Sequence, residues 1–150
     1  MTVTGPDFLA IQVRDLERSA AFYERELNLK RRSDAPPGVV AFDTTPIPFA
    51  VRDSLPGTDL EAGPVGLGVL VSLHADDAEA VHDQLRDHGV PILMDPFDTP
   101  FGRTFVFADP DGYRSLSTAS ALAPAAAGAP AAGSAVSPEC WSVSAGAALA

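Results

Sequence analysis

The sequence predicts an α+β fold built from two similar halves, each with the element order β-α-β-β-β. An apolar, strand-like run opens each half, an amphipathic helix pattern follows it, and short strand-like segments separated by turn residues come after the helix. A helix that is apolar on one side needs a sheet to bury that side, so both helices should cover the outer face of a curved mixed sheet. We therefore expect two βαβββ modules at about residues 5–53 and 64–118.

The first half opens with residues 8–13 (FLAIQV). Asp15 follows as the predicted N-cap, because a short carboxylate can accept a hydrogen bond from a free N–H group in the first turn of a helix. The apolar positions of this helix recur at the spacing of one buried stripe, and they are Leu16, Ala20, Tyr23 and Leu27. Strands are predicted after the helix at residues 39–42 and 47–51, and a further, charged one at residues 29–32.

The second half opens with residues 66–73 (GLGVLVSL). Asp76 and Glu79 have the spacing of a capping box at a helix N-terminus, and Gly89 is placed to end that helix with a positive φ. The inward positions of the helix are predicted to be Ala78, Val81 and Leu85. The remaining strands are predicted at residues 90–93, 103–107 and 113–117.

Two further segments lie between and after the modules. Residues 53–64 contain two prolines and two glycines and are predicted to link the halves. From residue 119 to residue 150 the chain is rich in Ala, Gly, Ser and Pro, and three prolines interrupt any long helix. The domain is therefore expected to span residues 1–118, with a disordered low-complexity tail at residues 119–150.

Composition disfavours several classes of function. The formal net charge of −10 argues against nucleic acid and anionic membrane surfaces as partners, because both reward clustered Lys and Arg. Cys140 is the only cysteine, so no disulfide is expected within the chain, and the N-terminus lacks a signal-peptide pattern. A cytoplasmic location is therefore expected. The sequence contains neither a Gly-x-Ser-x-Gly elbow nor a phosphate-binding glycine loop.

Three strings occur in a characteristic order. They are residues 13–19 (VRDLERS) followed by Phe22-Tyr23, residues 75–80 (ADDAEA) leading to Leu85 and Gly89-Val90, and residues 109–113 (DPDGY). Together with the doubled order of elements, they resemble the vicinal-oxygen-chelate superfamily, the group of glyoxalases, bleomycin-resistance proteins and extradiol dioxygenases. The resemblance covers about the first 118 residues. Because Pro fixes φ and Gly accepts a positive φ in the last string, we interpret Asp109 and Asp111 as structural turn residues.

The resemblance also implies where a metal would bind. Many proteins of this superfamily hold a divalent metal with His and Glu side chains, and the corresponding positions here are Phe8, Leu70 and Leu116. Carbon side chains have no lone pair to donate to a metal. The chain is therefore predicted to belong to a metal-free branch, and neither a metal nor another cofactor is expected. Without a metal, the isomerase, dioxygenase and transferase chemistries of the superfamily lose their Lewis acid.

Strand alternation predicts which side chains face the helices and which face the concave side of the sheet. The residues expected to face the helices are Leu9, Ile11, Val13, Leu67, Val69, Val71 and Leu73. The concave side then combines small, polar and apolar side chains, which is typical of a ligand pocket. The predicted ligand-binding residues are Phe8, Ala10, Gln12, Gly68, Leu70, Ser72, His74, Phe105 and Leu116. Phe105 is either an aromatic wall of this pocket or a core residue, because the parity of its strand is open.

The other histidines give no site. His82 and His88 lie off the predicted inward stripe of the second helix and are interpreted as solvated surface residues. Asp43, Asp53 and Asp95 lie at predicted strand ends, and nothing in the pattern singles one of them out as a catalytic base.

The residues thus favour binding over catalysis. The leading hypothesis is a metal-free, homodimeric protein that binds a planar or apolar small molecule, as in antibiotic sequestration or self-resistance. The alternative is an enzyme of the same fold, with lyase, isomerase or dioxygenase-like activity, that uses a non-standard metal site or an Asp/His acid–base pair. A structural module without a ligand is the third class. Whether the modules pair within one chain or between chains stays open.

Overall fold

The computed structural model describes residues 2–119. Its elements in chain order are β1 (Leu9–Val13), α1 (Leu16–Glu26), β2 (Val39–Phe42), β3 (Phe49–Asp53), β4 (Val71–Ala75), α2 (Ala78–Asp87), β5 (Ile92–Thr99), β6 (Gly102–Ala108) and β7 (Arg114–Ala119). The predicted α+β class is confirmed. The predicted order β-α-β-β-β is found in the second half, whereas the first half has the order β-α-β-β. Within residues 2–119, no helix is long and apolar enough to cross a membrane. Apart from Ala119, the predicted tail lies outside the described residues.

Each half of the chain forms a mixed sheet. The first sheet has the strand order β1-β3-β2, with β1 parallel and β2 antiparallel to β3. The second has the order β4-β7-β6-β5, with β4 parallel to β7 and the other neighbours antiparallel. The charged segment at residues 29–32 contributes only an isolated bridge between Arg31 and Phe42. Its Arg31 side chain instead binds Glu17 and Glu24 of α1.

The first helix begins where the sequence predicts. Asp15 is the N-cap, and its Oδ1 accepts a hydrogen bond from the Arg18 N–H at 3.0 Å. Ala20 and Tyr23 are fully buried against the first sheet. The core around them contains Ile11, Val13, Val40, Phe42, Phe49 and Val51. Burial of this one stripe therefore holds α1 on the sheet.

The second helix departs from the prediction at two positions. Its N-cap is Asp77, whose Oδ1 accepts from the Ala80 N–H at 3.1 Å, so the predicted capping box is wrong. Glu79 binds Arg103 on β6 at 2.7 Å instead. His82 is also not a surface residue: it is 6% exposed and packs edge-on against Phe105. The reason is helical spacing, because His82 lies four residues after the buried Ala78 and shares its face. His88, in contrast, is exposed.

The opening strand of the second half is shorter than predicted. Residues 66–70 form turns, and β4 begins at Val71. Gly66 adopts φ +65°, and a Cβ on it would lie 2.7 Å from the Tyr113 ring, so only glycine fits that position. The predicted alternation is therefore wrong for Leu67 and Val69, which are exposed at 78% and 58%. It holds from Val71 onward, as the burial of β4 shows.

The turn between β6 and β7 holds the two halves together through hydrogen bonds to the first half. The Asp109 carboxylate is buried; its Oδ1 accepts from the N–H groups of residues 111, 112 and 113, and its Oδ2 accepts from the Tyr23 hydroxyl at 2.8 Å. Asp111 accepts from the Ser19 hydroxyl at 2.7 Å and from the Arg14 N–H at 2.8 Å. Tyr113 donates its hydroxyl hydrogen to the Gln12 carbonyl at 2.8 Å. These contacts agree with the structural interpretation of both aspartates. We refer to Asp109, Asp111 and Tyr113 with their partners as the turn clamp.

Burial shifts the pKa values of two groups in the turn clamp, the Tyr23 hydroxyl and the Asp109 carboxyl. Desolvation, followed by the nearby Asp109 charge, raises the pKa of the Tyr23 hydroxyl well above its usual value. Desolvation also raises the pKa of Asp109, although its hydrogen bonds act in the opposite direction. Tyr23 therefore keeps its proton in the folded protein at pH values at which an unfolded tyrosine has lost it.

We predict that Tyr23→Phe lowers the free energy of unfolding at neutral pH by about 1–3 kcal/mol, because it leaves Asp109 Oδ2 buried without its donor. The raised pKa of Tyr23 contributes to the free energy of unfolding. This contribution is complete below the pKa of tyrosine in the unfolded chain, which is about 10, and it is lost as pH rises above that value. The difference in unfolding free energy between the wild-type protein and Tyr23→Phe should therefore become smaller above about pH 10. Urea unfolding of both from neutral to strongly alkaline pH measures this difference. A difference that stays constant with pH would contradict the buried, protonated state of Tyr23.

Candidate functional site

The side of the first sheet that faces away from α1 forms the first open face. Ile11, Val13 and Val51 point into the core under α1, so the alternate residues on these strands point the other way. Those residues are Ala10 and Gln12 on β1, Ala50 and Arg52 on β3, and Val39 and Ala41 on β2. Ala10 is exposed, Gln12 and Arg52 are partly exposed, and Ala41 and Ala50 are buried. Val39 is partly exposed as well, so the accessible surface on this face lies along Ala10, Gln12, Val39 and Arg52.

The second open face lies on the side of the second sheet away from α2. Val71 is buried and Leu73 packs against the core under α2, so Ser72 and His74 point outward, and both are exposed. His74 pairs in register with Thr118, which continues this face onto β7. Thr104 on β6 is buried there and donates to the Thr118 hydroxyl at 3.4 Å. This face is more polar than the first.

The remaining predicted site residues separate into four groups. Phe8 and Leu70 precede β1 and β4 and are 49% and 55% exposed. Gly68 lies in the turn before β4 with φ +77°, so its placement on a strand is wrong. Phe105 is fully buried in the core under α2, which places it on the opposite side of the sheet from the open face. The backbone of Leu116 pairs with Ser72 and Val106, but its side chain lies outside the described part of the structure.

Arg52 lies on the first open face, and the sequence patterns do not identify it as a site residue. The predicted strand ends at residue 51, whereas β3 extends to Asp53. A signal is nevertheless present, because alternation from the apolar Val51 places the next residue on the face that carries Gln12. Arg52 therefore belongs with Ala10 and Gln12 on the first open face.

Two grooves lie on the described surface, with volumes of about 370 and 400 Å³. The first is lined by the start of α1 and by residues 31–40. The second lies at the junction of the halves, between Gln12, Tyr113 and residues 58–67. Among the predicted site residues whose side chains the structure describes, Gln12 alone lines one of these two grooves. Within residues 2–119, these grooves do not gather the predicted site residues into an enclosed pocket.

The side chains do not fit the metal site that the superfamily resemblance implies. Phe8 and Leu70 have no donor atom. No group of three or more His, Cys, Asp or Glu side chains comes together within residues 2–119 to hold an ion. Phe8 and Leu70 can therefore contribute apolar surface at these two positions, but no bond to a metal ion.

His82, like Asp109, is a buried ionisable side chain of the second half. Its Nδ1 lies 3.0 Å from Asp83 Oδ1, while its Nε2 is buried, makes no hydrogen bond to a described residue and lies 3.8 Å from Asp95 Oδ1. The ring packs against Phe105 under α2 and so lies on the helix side of the sheet. This histidine is therefore separated by the sheet from Ser72 and His74.

Comparison with known proteins agrees with this architecture. The chain resembles the structure of TnmS3, an antibiotic binding protein from Streptomyces sp. CB03234, with a TM-score of 0.62, 23% identity, and coverage of 81% of this chain and 99% of that one. A lactoylglutathione lyase from Agrobacterium tumefaciens gives a TM-score of 0.59 at 19% identity, with 78% and 94% coverage. These identities establish a shared fold alone. No curated protein sequence matches the chain. The family model of the Glyoxalase/Bleomycin resistance protein/Dioxygenase superfamily matches residues 5–115, and the chain therefore belongs to that superfamily.

Proposed function

We propose that this protein binds a small, planar and largely apolar molecule on its open faces without using a metal, and that it serves to sequester that molecule. One observation carries the proposal: Phe8 and Leu70, to which the superfamily resemblance assigns metal-ligand positions, are apolar and about half exposed. Large apolar side chains that remain in water favour an apolar ligand, because binding removes their surface from water.

The surroundings of these two residues support the same class of ligand. Leu67 and Val69 extend the exposed apolar surface before β4. Ser72 and His74 follow on the second open face and offer a hydroxyl and an imidazole for hydrogen bonds. Contiguous apolar surface with a polar margin is typical of binding sites rather than of inert surface. The antibiotic binding activity named for TnmS3 makes an antibiotic a reasonable ligand for this fold.

The proposal includes a homodimer. In the described chain, β1 and β4 are edge strands, and the residues around them are not enclosed. A second copy placed over these edges would bury Phe8 and Leu70 and enclose the ligand between chains. Light scattering at micromolar concentration should give the mass of two chains, and the mass of one chain would contradict this part of the proposal.

We predict that Leu70→Glu weakens binding of a neutral planar probe, pyrenemethanol, by about tenfold or more, because the ligand would then cover an unpaired carboxylate. Leu93→Glu is the matched control: Leu93 is 44% exposed and lies on β5, at the opposite edge of the sheet from β4. Fluorescence titration measures both affinities. Equal affinity in the two variants would remove Leu70 and its surroundings from the binding site.

An enzyme of the same fold is the second candidate, favoured by the similarity to a lactoylglutathione lyase. It would need a metal held by other residues, or an acid–base pair such as His82 with Asp95, whose closest polar atoms are 3.8 Å apart. Since His82 lies on the helix side of the sheet, such a pair would act away from the open faces. The metal content of the purified protein separates the metal-dependent form of this candidate from sequestration, and the activity of a His82→Ala variant would test the acid–base form.

A further inference from the structure

We propose that the ligand carries an oxyanion and that Arg52, assisted by the Gln12 amide, binds it on the first open face. This inference rests on the proposed small-molecule function and adds the chemical class of one ligand group. It concerns a residue that the sequence patterns do not single out.

Register places the two side chains together. Arg52 on β3 pairs directly with Gln12 on the parallel strand β1, at the strand separation of roughly 4.8 Å. Both alternate with core residues, since Ile11 and Val51 are buried under α1. The guanidinium and the amide therefore share one face and lie within reach of a single ligand group.

Arg52 lacks a carboxylate partner in the part of the chain that the structure describes. Its Nε donates to the Asp53 carbonyl at 3.3 Å, and neither terminal nitrogen has an acceptor among the described residues. Every other partly buried arginine between residues 2 and 119 forms a salt bridge, as Arg32 does with Asp34 and Arg103 with Glu79. The chain has twice as many acidic as basic residues, and a partly buried arginine without a carboxylate partner among the described residues is therefore a distinctive feature.

Gln12 adds a second donor. Its Oε1 accepts a hydrogen bond from the Leu55 N–H at 2.6 Å, which orients the amide. The Nε2 group has no acceptor among the described residues and is free to donate. The pair therefore offers only N–H donors, and such a donor set selects an acceptor group.

The geometry of the donors favours an oxyanion. A guanidinium presents parallel N–H groups that match the two oxygens of a carboxylate, and a charge-assisted pair is about twice as strong as a neutral one. The neighbouring side chains of Ala10 and Val39 are neutral, so they neither compete for the guanidinium nor repel an oxyanion. We therefore expect an apolar ring that bears a carboxylate or a similar oxyanion.

The test compares two probes with the same ring, pyrenecarboxylate and pyrenemethanol, by fluorescence titration of the full chain. Wild-type protein should bind the carboxylate about tenfold more tightly than the alcohol. Arg52→Gln should abolish this preference with little effect on the alcohol, and Arg52→Lys should retain part of it, because the charge stays and the fork is lost. Arg18→Gln, on the exposed surface of α1, is the control and should leave the preference unchanged.

The outcomes separate this inference from the proposed function. If Arg52→Gln lowers both affinities equally or neither of them, the inference is overturned, while binding of the alcohol still supports a small-molecule site. If wild-type protein binds neither probe, the proposed function and the inference both fail. Circular dichroism checks that each variant is folded. If Arg52→Gln does not fold, Arg52→Lys decides, and an unchanged carboxylate preference with that variant would overturn the role of the guanidinium fork.

Discussion

The hydrogen bond between Tyr23 and Asp109 is the interaction on which the arrangement of this molecule depends. Tyr23 is a core residue of the first half, and Asp109 organises the turn between β6 and β7 of the second. One buried carboxylate thereby satisfies three backbone N–H groups of its own turn and the hydroxyl of the other module. Since buried polar groups are costly when unpaired, these donors and the acceptor fix one another in a single geometry. The two halves therefore meet within the chain at this point.

The hydrogen bonds of the same turn also position the strands that carry the open faces. Asp111 accepts a hydrogen bond from the Arg14 N–H, directly after β1, and the Tyr113 hydroxyl donates to the carbonyl of Gln12, within β1. The same tyrosine ring packs on Gly66 and so sets where the chain turns before β4. The clamp thus controls the end of one edge strand and the approach to the other. Phe8 and Leu70, which carry the proposed function, lie directly before those strands.

Much of the fold follows from local rules in the sequence. The spacing of Ala20 and Tyr23 identifies the buried stripe of α1, Asp15 identifies its start, and alternation assigns Ala10 and Gln12 to the open side of β1. The failures have physical causes. The apolar run at residues 66–70 has strand-like composition, but contact with the Tyr113 ring requires a glycine turn there, and that contact is more than 40 residues away in sequence. The stripe predicted from Ala78, Val81 and Leu85 is too narrow to include His82, which lies four residues after Ala78 and is buried against the Phe105 ring. Arg52 escapes prediction because strand ends are poorly marked by local sequence.

The superfamily fold by itself does not decide between binding and catalysis, because sites rather than folds carry function. In this chain, the choice of binding over catalysis depends on Phe8 and Leu70. These apolar residues stand where the superfamily resemblance places metal-binding side chains. Metal analysis by plasma mass spectrometry after dialysis tests that claim most directly. We predict far less than one divalent ion per chain, and no rise in melting temperature when zinc, manganese or nickel is added back. One tightly held divalent ion per chain, with a melting temperature that falls on chelation, would contradict metal-free binding and favour a metal-dependent enzyme.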